Sequence, residues 1–363
     1  MSSRPSIAFI SGSKEADGIF RGNYQVYRAT AGLGYRSRWV QCIDPSDRDG
    51  HYLGGTTLVG RRLATRSLEM GVNRLWTFPA RLKRFPEDRV FLGDPTFLRA
   101  ANASTSSRLI VHVHDLRPLT EYGDRWDTRL MFRYAIPRLR HVRRIMVHTA
   151  FVRDLLEKIP GVTGQTYVLP PHSEVPAGTA ERHVRTSQER QAREGVVNVV
   201  YVAADRPHKN LRFFFELARA LSGDTAPRFS FTLVSRLCGQ SVADLERVRP
   251  SNLTVVPFAT DLSRIYDGSD IVVFPSLYEG FGLPVLEGLA YGMPVVANNL
   301  EPLREILGYA GSLVERNKLD LWVEALRELS NSASYMHAAG RSIERVKAFS
   351  LDQFNRRIPG LFE

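Results

Sequence analysis

The sequence predicts an α/β protein built from two doubly wound, Rossmann-like domains with parallel sheets facing across a cleft. Three observations carry this. At 363 residues the chain exceeds what one hydrophobic core usually organises. Short β-branched runs alternate with amphipathic helical stretches in both halves. The runs are nearly continuous in apolar character, as in parallel strands covered on both faces, instead of alternating as half-exposed strands do.

Taken in order, the first half offers SIAFIS (6–11), SRWVQCI (37–43), RLIVHVHD (108–115), RRIMVHT (143–149) and TYVLP (166–170). The second offers VVNVVYVA (196–203), FSFTLVS (229–235), LTVVPF (253–258), DIVVFPS (270–276) and PVVAN (294–298). Between them, the polar stretch 174–196 contains Pro and Gly and no apolar period. The expected division is a first domain over 1–176, a linker over 177–195, a second domain over 196–345, and a last segment over 346–363. Ligands of such sheets bind outside the C-terminal strand ends, so the expected site lies at the domain interface.

Composition narrows the class. With 43% hydrophobic and 24% charged residues and no run approaching roughly 18 apolar residues, the chain reads as soluble and globular. The opening MSSRPSIAFISGSK reads as a buried first strand, not a signal peptide, so a cytoplasmic location is expected. Cys42 and Cys238 have neither disulfide-framework nor metal-ligand spacing and are expected in the core. The net charge of +11 is confined to one half: residues 1–180 hold 27 basic against 16 acidic residues, and residues 181–363 hold 22 of each.

The chemistry is concentrated in PSLYEGFGLPVLEGLAYGMPVV (275–296), where Glu279 and Glu287 stand eight positions apart around a glycine-rich turn. DIVVFPS reads as a strand, Pro284 suits a first helical turn, and Gly292 with Pro294 closes the helix. Helix entry through Gly280, Phe281, Gly282 and Leu283 offers main-chain N–H groups and the positive end of a helix dipole to an anion. Two carboxylates around such a point repel a bare phosphate but accept hydroxyl hydrogen bonds. A diphosphate carrying polyol on either side, a nucleotide sugar, meets both conditions.

These residues resemble the Glu-x7-Glu motif of the family-4 retaining glycosyltransferases of the GT-B fold, for which EGFGLPVLE is close to the commonest spelling. The resemblance continues, in the family's order, through HVHDLRPL (112–119), HTAFVRDLL (148–156), YVAADRPHKNLRFFFELARAL (201–221), REILGYAGSLV (304–314) and AFSLDQFNRR (348–357). It implies that 346–363 returns to pack on the first domain. It also implies that Glu279 binds sugar hydroxyls, that Glu287 binds the ribose, and that Arg206 and Lys209 neutralise the diphosphate as it leaves. His114 would lie near the donor sugar, Gly22 in the first loop would pack against the diphosphate, and the base would sit by 255–262, with Phe258 the named contact. The implied partners are a nucleotide diphosphate sugar, with GDP-mannose favoured over a UDP-hexose, and a glycan or lipid-linked acceptor. No cofactor and no essential metal are expected.

Two departures bear on the loops: Ala203-Ala204-Asp205 stands where the family often has Gly-Arg, and TLVSRLCGQ (232–240) lacks paired glycines. Asp47-Arg48-Asp49 reads as a solvated turn. The stretch 60–85 interleaves Arg61, Arg62, Arg66, Arg74, Arg81, Lys83 and Arg84 with Leu63, Leu68, Leu75, Trp76 and Phe78, and RLRHVRR (138–144) adds a second basic cluster. Such a surface suits an anionic bilayer, so peripheral membrane association is expected. Three rival readings remain: another GT-B enzyme such as a sugar-nucleotide epimerase, a basic nucleic-acid binder that spells out no recognised module, and a nicotinamide oxidoreductase that lacks its glycine fingerprint. No nucleic-acid partner is expected.

Overall fold

The computed structural model describes residues 4–13, 18–45, 56–82, 84–102, 105–122, 126–225, 227–257 and 261–363. They fall into two compact units, one of residues 1–172 with 351–363 and one of residues 173–350.

The first unit holds a seven-stranded sheet of β1 (Ser6–Ser11), β2 (Arg36–Ile43), β3 (Thr56–Val59), β4 (Arg89–Leu92), β5 (Leu109–His112), β6 (Arg144–Val147) and β7 (Gln165–Val168). Its order is β3-β2-β1-β4-β5-β6-β7 and every pairing is parallel, so strand order reverses between β1 and β4. Alternate residues of each strand enter different cores. Ala8, Ile10, Val90, Leu92, Val111 and Ile145 pack on one face. Ile7, Phe9, Phe91, Ile110 and Met146 pack on the other, against Phe354, Ile358, Leu361 and Phe362 of the final helix Leu351–Phe362. That period-two division of apolar residues is why the runs read as continuous in the sequence.

The second unit holds a six-stranded parallel sheet of β8 (Val196–Val202), β9 (Arg228–Val234), β10 (Leu253–Val256), β11 (Ile271–Phe274), β12 (Val295–Asn298) and β13 (Ser312–Val314). Its order, β10-β9-β8-β11-β12-β13, reverses between β8 and β11. Tyr201, Phe214, Phe215, Phe231, Phe274 and Trp322 are fully buried in its core.

The structure corrects the expected boundaries. Residues 177–195 are not a linker: Thr179–Glu194 is a helix flanked by Gly178 and Gly195 at φ 78° and 62°. Its inward stripe is Ala180, His183, Val184 and Ser187, helical in spacing but half polar, which conceals it from an apolar count. It is tied into the second unit by the His183 ring, whose Nε2 donates to the carbonyls of Tyr266 and Ser269 at 3.1 and 3.0 Å. Arg190 adds an ion pair to the fully buried Asp270 at 2.5 Å. The returning segment begins at Leu351 and not at 346, because Phe349 remains in the core of the second unit. β3, β4 and β13 are strands that the sequence reading does not include.

Candidate active site

In the second unit the loops leaving β8 and β11 lie on either side of the strand-order reversal, the place where open α/β sheets bind ligands. These two loops are laced together. Tyr201 Oη donates to the Lys209 carbonyl at 2.8 Å and lies 3.0 Å from Ser276 Oγ. The Leu277 N–H donates to the His208 carbonyl at 2.7 Å. Asn298, buried at the end of β12, donates to the carbonyls of both Pro275 and Ser276 at 2.8 Å. Asn210 adopts φ 55° and ψ 43°, a left-handed turn that short Asn side chains tolerate, and opens the helix Leu211–Ala220.

The lacing brings Lys209 and Glu279 together: Nζ meets Oε1 at 2.5 Å, with side chains 17% and 10% exposed. The ammonium also stands 5.4 Å from the centre of the Phe274 ring. Four residues on, the helix Leu283–Ala290 begins behind Gly282, whose φ of 119° belongs to glycine, and no side chain caps it. Glu287 lies within that helix, half-buried, and accepts the Tyr266 hydroxyl at 2.5 Å. The opening loop thus keeps the geometry its spacing implied, with Glu279 beside the helix start and Glu287 inside it.

Other sequence-selected residues fall differently. The Phe281 ring is buried, packing edge-on at 6.2 Å against Phe349, so any contact it makes with a ligand is through its main chain. Arg206 is exposed just ahead of Lys209. Asp205, in the departure from the family spelling, accepts the Cys238 N–H at 2.7 Å and the Ser241 hydroxyl at 2.6 Å, joining the β8 and β9 exit loops where glycines were missed. Cys238 is exposed and not in the core, whereas Cys42 is buried, which pushes its thiol pKa up. Phe258 and Asp47-Arg48-Asp49 lie outside the described residues.

In the first unit, His114 follows β5 and its Nε2 donates to the Gly93 carbonyl at the end of β4, 3.1 Å away. Two further histidines crowd it. The His112 and His114 ring centres are 3.5 Å apart, and His148, just beyond β6, lies 4.3 Å from His112. Burial holds His112 and His114 well below the ordinary imidazole value, helped by the neighbouring rings, and pushes His148 down to about 4. All three are neutral imidazoles at pH 7. The sequence does not join His148 to this group, because residue 148 lies 34 positions from 114 and only the register His112↔Met146 shows that they meet. Gly22 stands inside the helix Gly18–Gly32 and not ahead of it; a Cβ there would lie 2.8 Å from His148 Nε2.

The basic stretch 60–85 divides between core and surface. Leu75 and Phe78 are buried, and Arg74 is drawn inward by Asp94 at 3.1 Å and Asp44 at 3.6 Å. Arg61, Arg62, Arg66, Arg81 and Arg84 remain exposed with Leu68 and Trp76, while the helix Trp126–Ala135 exposes Trp126 and Leu130. Lys83 lies outside the described residues. The second cluster, Arg140, Arg143 and Arg144, stands instead at the N-terminal strand edge beside Arg89 and Arg108. Among the described residues, no helix is long and apolar enough to cross a membrane.

Comparison with known proteins bears on the fold and the family. Residues 197–332 match the family model described as Glycosyl transferases group 1. The chain is 30% identical over 159 residues to O-antigen chain mannosyltransferase B of Escherichia coli, covering 42% of each sequence. It is 25% identical over 230 residues to O-antigen chain mannosyltransferase RfbU of Salmonella typhimurium, covering 60% of each. The match therefore spans about two fifths to three fifths of these curated relatives. Among solved structures, sucrose-phosphate synthase of Thermosynechococcus elongatus superposes with a TM-score of 0.77 at 20% identity, over 99% of this chain and 98% of that one. Anabaena HepE, solved with UDP and glucose, gives 0.74 at 16% identity, over 98% of each. The chain has the GT-B fold, and residues 197–332 are similar to the Glycosyl transferases group 1 family.

Proposed function

We propose that this protein is a retaining glycosyltransferase that moves a hexose from a nucleoside diphosphate sugar, GDP-mannose in preference to a UDP-hexose, to a glycan or lipid-linked acceptor in surface polysaccharide or glycolipid synthesis. The observation that carries the reading is the Lys209–Glu279 pair at the strand-order reversal, beside a glycine-led helix start. Each side chain satisfies the other here. With donor present they exchange partners: Lys209 turns to the diphosphate and Glu279 to sugar hydroxyls. Glu287, its carboxylate oriented by Tyr266, accepts from the ribose. A fixed ammonium in a largely buried position stabilises the charge that grows on the leaving diphosphate. Arg206 supports it from the rim, the N–H groups of Gly280 to Leu283 complete the anion cradle, and His114 is proposed as a further catalytic residue. The departing diphosphate takes the acceptor proton, and the acceptor enters on the same face, so configuration is retained. This chemistry asks for no protein-bound metal.

The mannosyl preference draws on relatives that are named mannosyltransferases, and the nucleotide-sugar class on a neighbour solved with UDP-glucose. A thermal-shift screen of GDP-mannose, UDP-glucose, UDP-galactose and UDP-N-acetylglucosamine tests the donor, since a ligand at a hundred times its dissociation constant adds about 2.7 kcal/mol. Product analysis with the labelled donor then separates transfer, which yields free nucleotide and a larger glycan, from epimerisation, which yields an isomerised donor. Stabilisation by none of the four donors contradicts the proposal.

Peripheral attachment to an anionic membrane is part of the same proposal. It draws on exposed Leu68, Trp76, Trp126 and Leu130 among five exposed arginines. Failure to sediment with anionic vesicles at low salt removes it.

A further inference from the structure

We propose that His112, His114 and His148 form a binding site for a first-row divalent metal ion of the zinc class, through His112 Nε2, His114 Nδ1 and His148 Nε2. The assignment of ligand atoms follows from what holds the other ring nitrogens. His112 Nδ1 lies 2.7 Å from Asn23 Oδ1, while the Asn23 amide nitrogen donates to the Gly93 carbonyl at 3.0 Å, so the amide oxygen faces the ring. His114 Nε2 lies 3.1 Å from the Gly93 carbonyl and His148 Nδ1 3.0 Å from the Leu169 carbonyl. An oxygen that cannot donate fixes the proton on the imidazole nitrogen facing it, and the opposite nitrogen of each neutral ring then carries the lone pair. Histidines that ligate metals show this outward hydrogen bond to an oxygen, which sets tautomer and ring orientation.

The three rings also lie close together. One ligand nitrogen from each ring lies within 4.8 Å of those of the other two, the one such cluster of His, Cys, Asp or Glu among the described residues. His112 Nε2 is buried and has no hydrogen-bond partner, an orphaned acceptor that an ion would satisfy. Zinc held at about 2.0–2.1 Å spaces tetrahedral ligand nitrogens about 3.3 Å apart, so closure asks for a movement of up to about 1.5 Å, within reach of ring rotation. Gly22 keeps the space open, because a Cβ there would stand 2.8 Å from His148 Nε2. His114, half-buried, is the exposed side of the cluster. Three neutral ligands leave the ion its full charge and a fourth position for water or an anion.

The site shares His114 with the proposed donor-binding reading but rests on its own geometry. Where both hold, an ion on His114 withdraws that ring from the sugar, and zinc inhibits transfer.

The test uses the full chain, freed of metal with a chelator. Zinc is titrated against a chromophoric competitor, and cobalt is added separately for its visible absorption. One equivalent of zinc bound at roughly micromolar affinity or better, with the strong visible bands of a four-coordinate, nitrogen-ligated cobalt, is the expected result. His148→Ala removes a ligand, and Asn23→Ala, which frees His112 to choose its other tautomer, weakens binding by roughly 10–100-fold. Absence of zinc binding by the wild-type chain overturns the site whether or not the variants fold. Binding left unchanged in a folded His148→Ala protein places the ion elsewhere and overturns it equally.

Discussion

Replacing Lys209 with Ala removes the single ammonium paired to Glu279 while leaving the loop's main-chain bonds from Tyr201 and Leu277 in place. The size of the loss follows from what the ammonium touches. In the donor complex it makes one charge-assisted hydrogen bond to the diphosphate, worth about 1.5–3 kcal/mol, so donor affinity falls roughly 10- to 150-fold. As the sugar–phosphate bond breaks, charge grows on the oxygens beside it, and loss of one fixed donor at such a point costs about 10²–10³ in kcat. Both KM for the donor and kcat therefore change, with a fall in kcat of about a hundredfold or more. The substitution also leaves Glu279, only 10% exposed, without its cation. A Lys209→Ala/Glu279→Gln double variant separates the two effects: it regains melting temperature but not turnover, because it restores the local charge balance without restoring the cation. Steady-state transfer from labelled donor, read beside calorimetric melting, is the assay. A folded Lys209→Ala enzyme within a few-fold of wild-type kcat refutes the assigned role.

Three further outcomes follow from the structure. Asp270→Ala strips the buried partner of Arg190 and of the Asn198 N–H; about 3–5 kcal/mol, at about 2–4 °C per kcal/mol, lowers the melting of the second unit by roughly 6–20 °C, and a shift below about 2 °C contradicts the anchoring of the 179–194 helix. Gly22→Ala places its Cβ 2.8 Å from a ring fixed by the Leu169 carbonyl; the strain of about 1–3 kcal/mol outweighs the ~1 kcal/mol gained in helix propensity, so urea midpoints fall, and a stabilised variant contradicts the packing. His183 is held below the ordinary imidazole pKa by burial, although its two carbonyl acceptors oppose this, and its Nδ1 has no partner. The unfolded chain takes up the proton first, so His183 lowers stability as pH falls from about 6.5 towards the folded value. Chemical denaturation from pH 7.5 to 5 shows this as a steeper loss in wild type than in His183→Gln; equal slopes contradict it.

The fold was legible where burial is two-sided. Strands such as β8 and β11 read as apolar runs because both faces of each sheet are covered. Helix 179–194 was not legible, since the chain buries Ser187 and a neutral His183 on its inward stripe, and polarity alone then marks it as linker. The acidic pair with its glycines was legible because the site is local, spanning Glu279 to Glu287 on one loop and helix. Lys209 required the resemblance, for its approach to Glu279 depends on β8 and β11 being neighbours across a reversal of strand order, which spacing does not reveal. Tyr266, which orients Glu287, and His148, which meets His112 and His114, arrive from separate elements for the same reason. Arg74 looked like surface charge because Asp44 and Asp94, which draw it inward, lie 30 and 20 positions away.

The most direct test of the central claim is a crystal structure with a non-transferable nucleotide-sugar analogue bound. The expected result is a diphosphate oxygen within hydrogen-bond reach of Lys209 Nζ and a sugar hydroxyl on Glu279, the two side chains having released one another. A bound analogue that leaves the Lys209–Glu279 pair intact and lies elsewhere contradicts it.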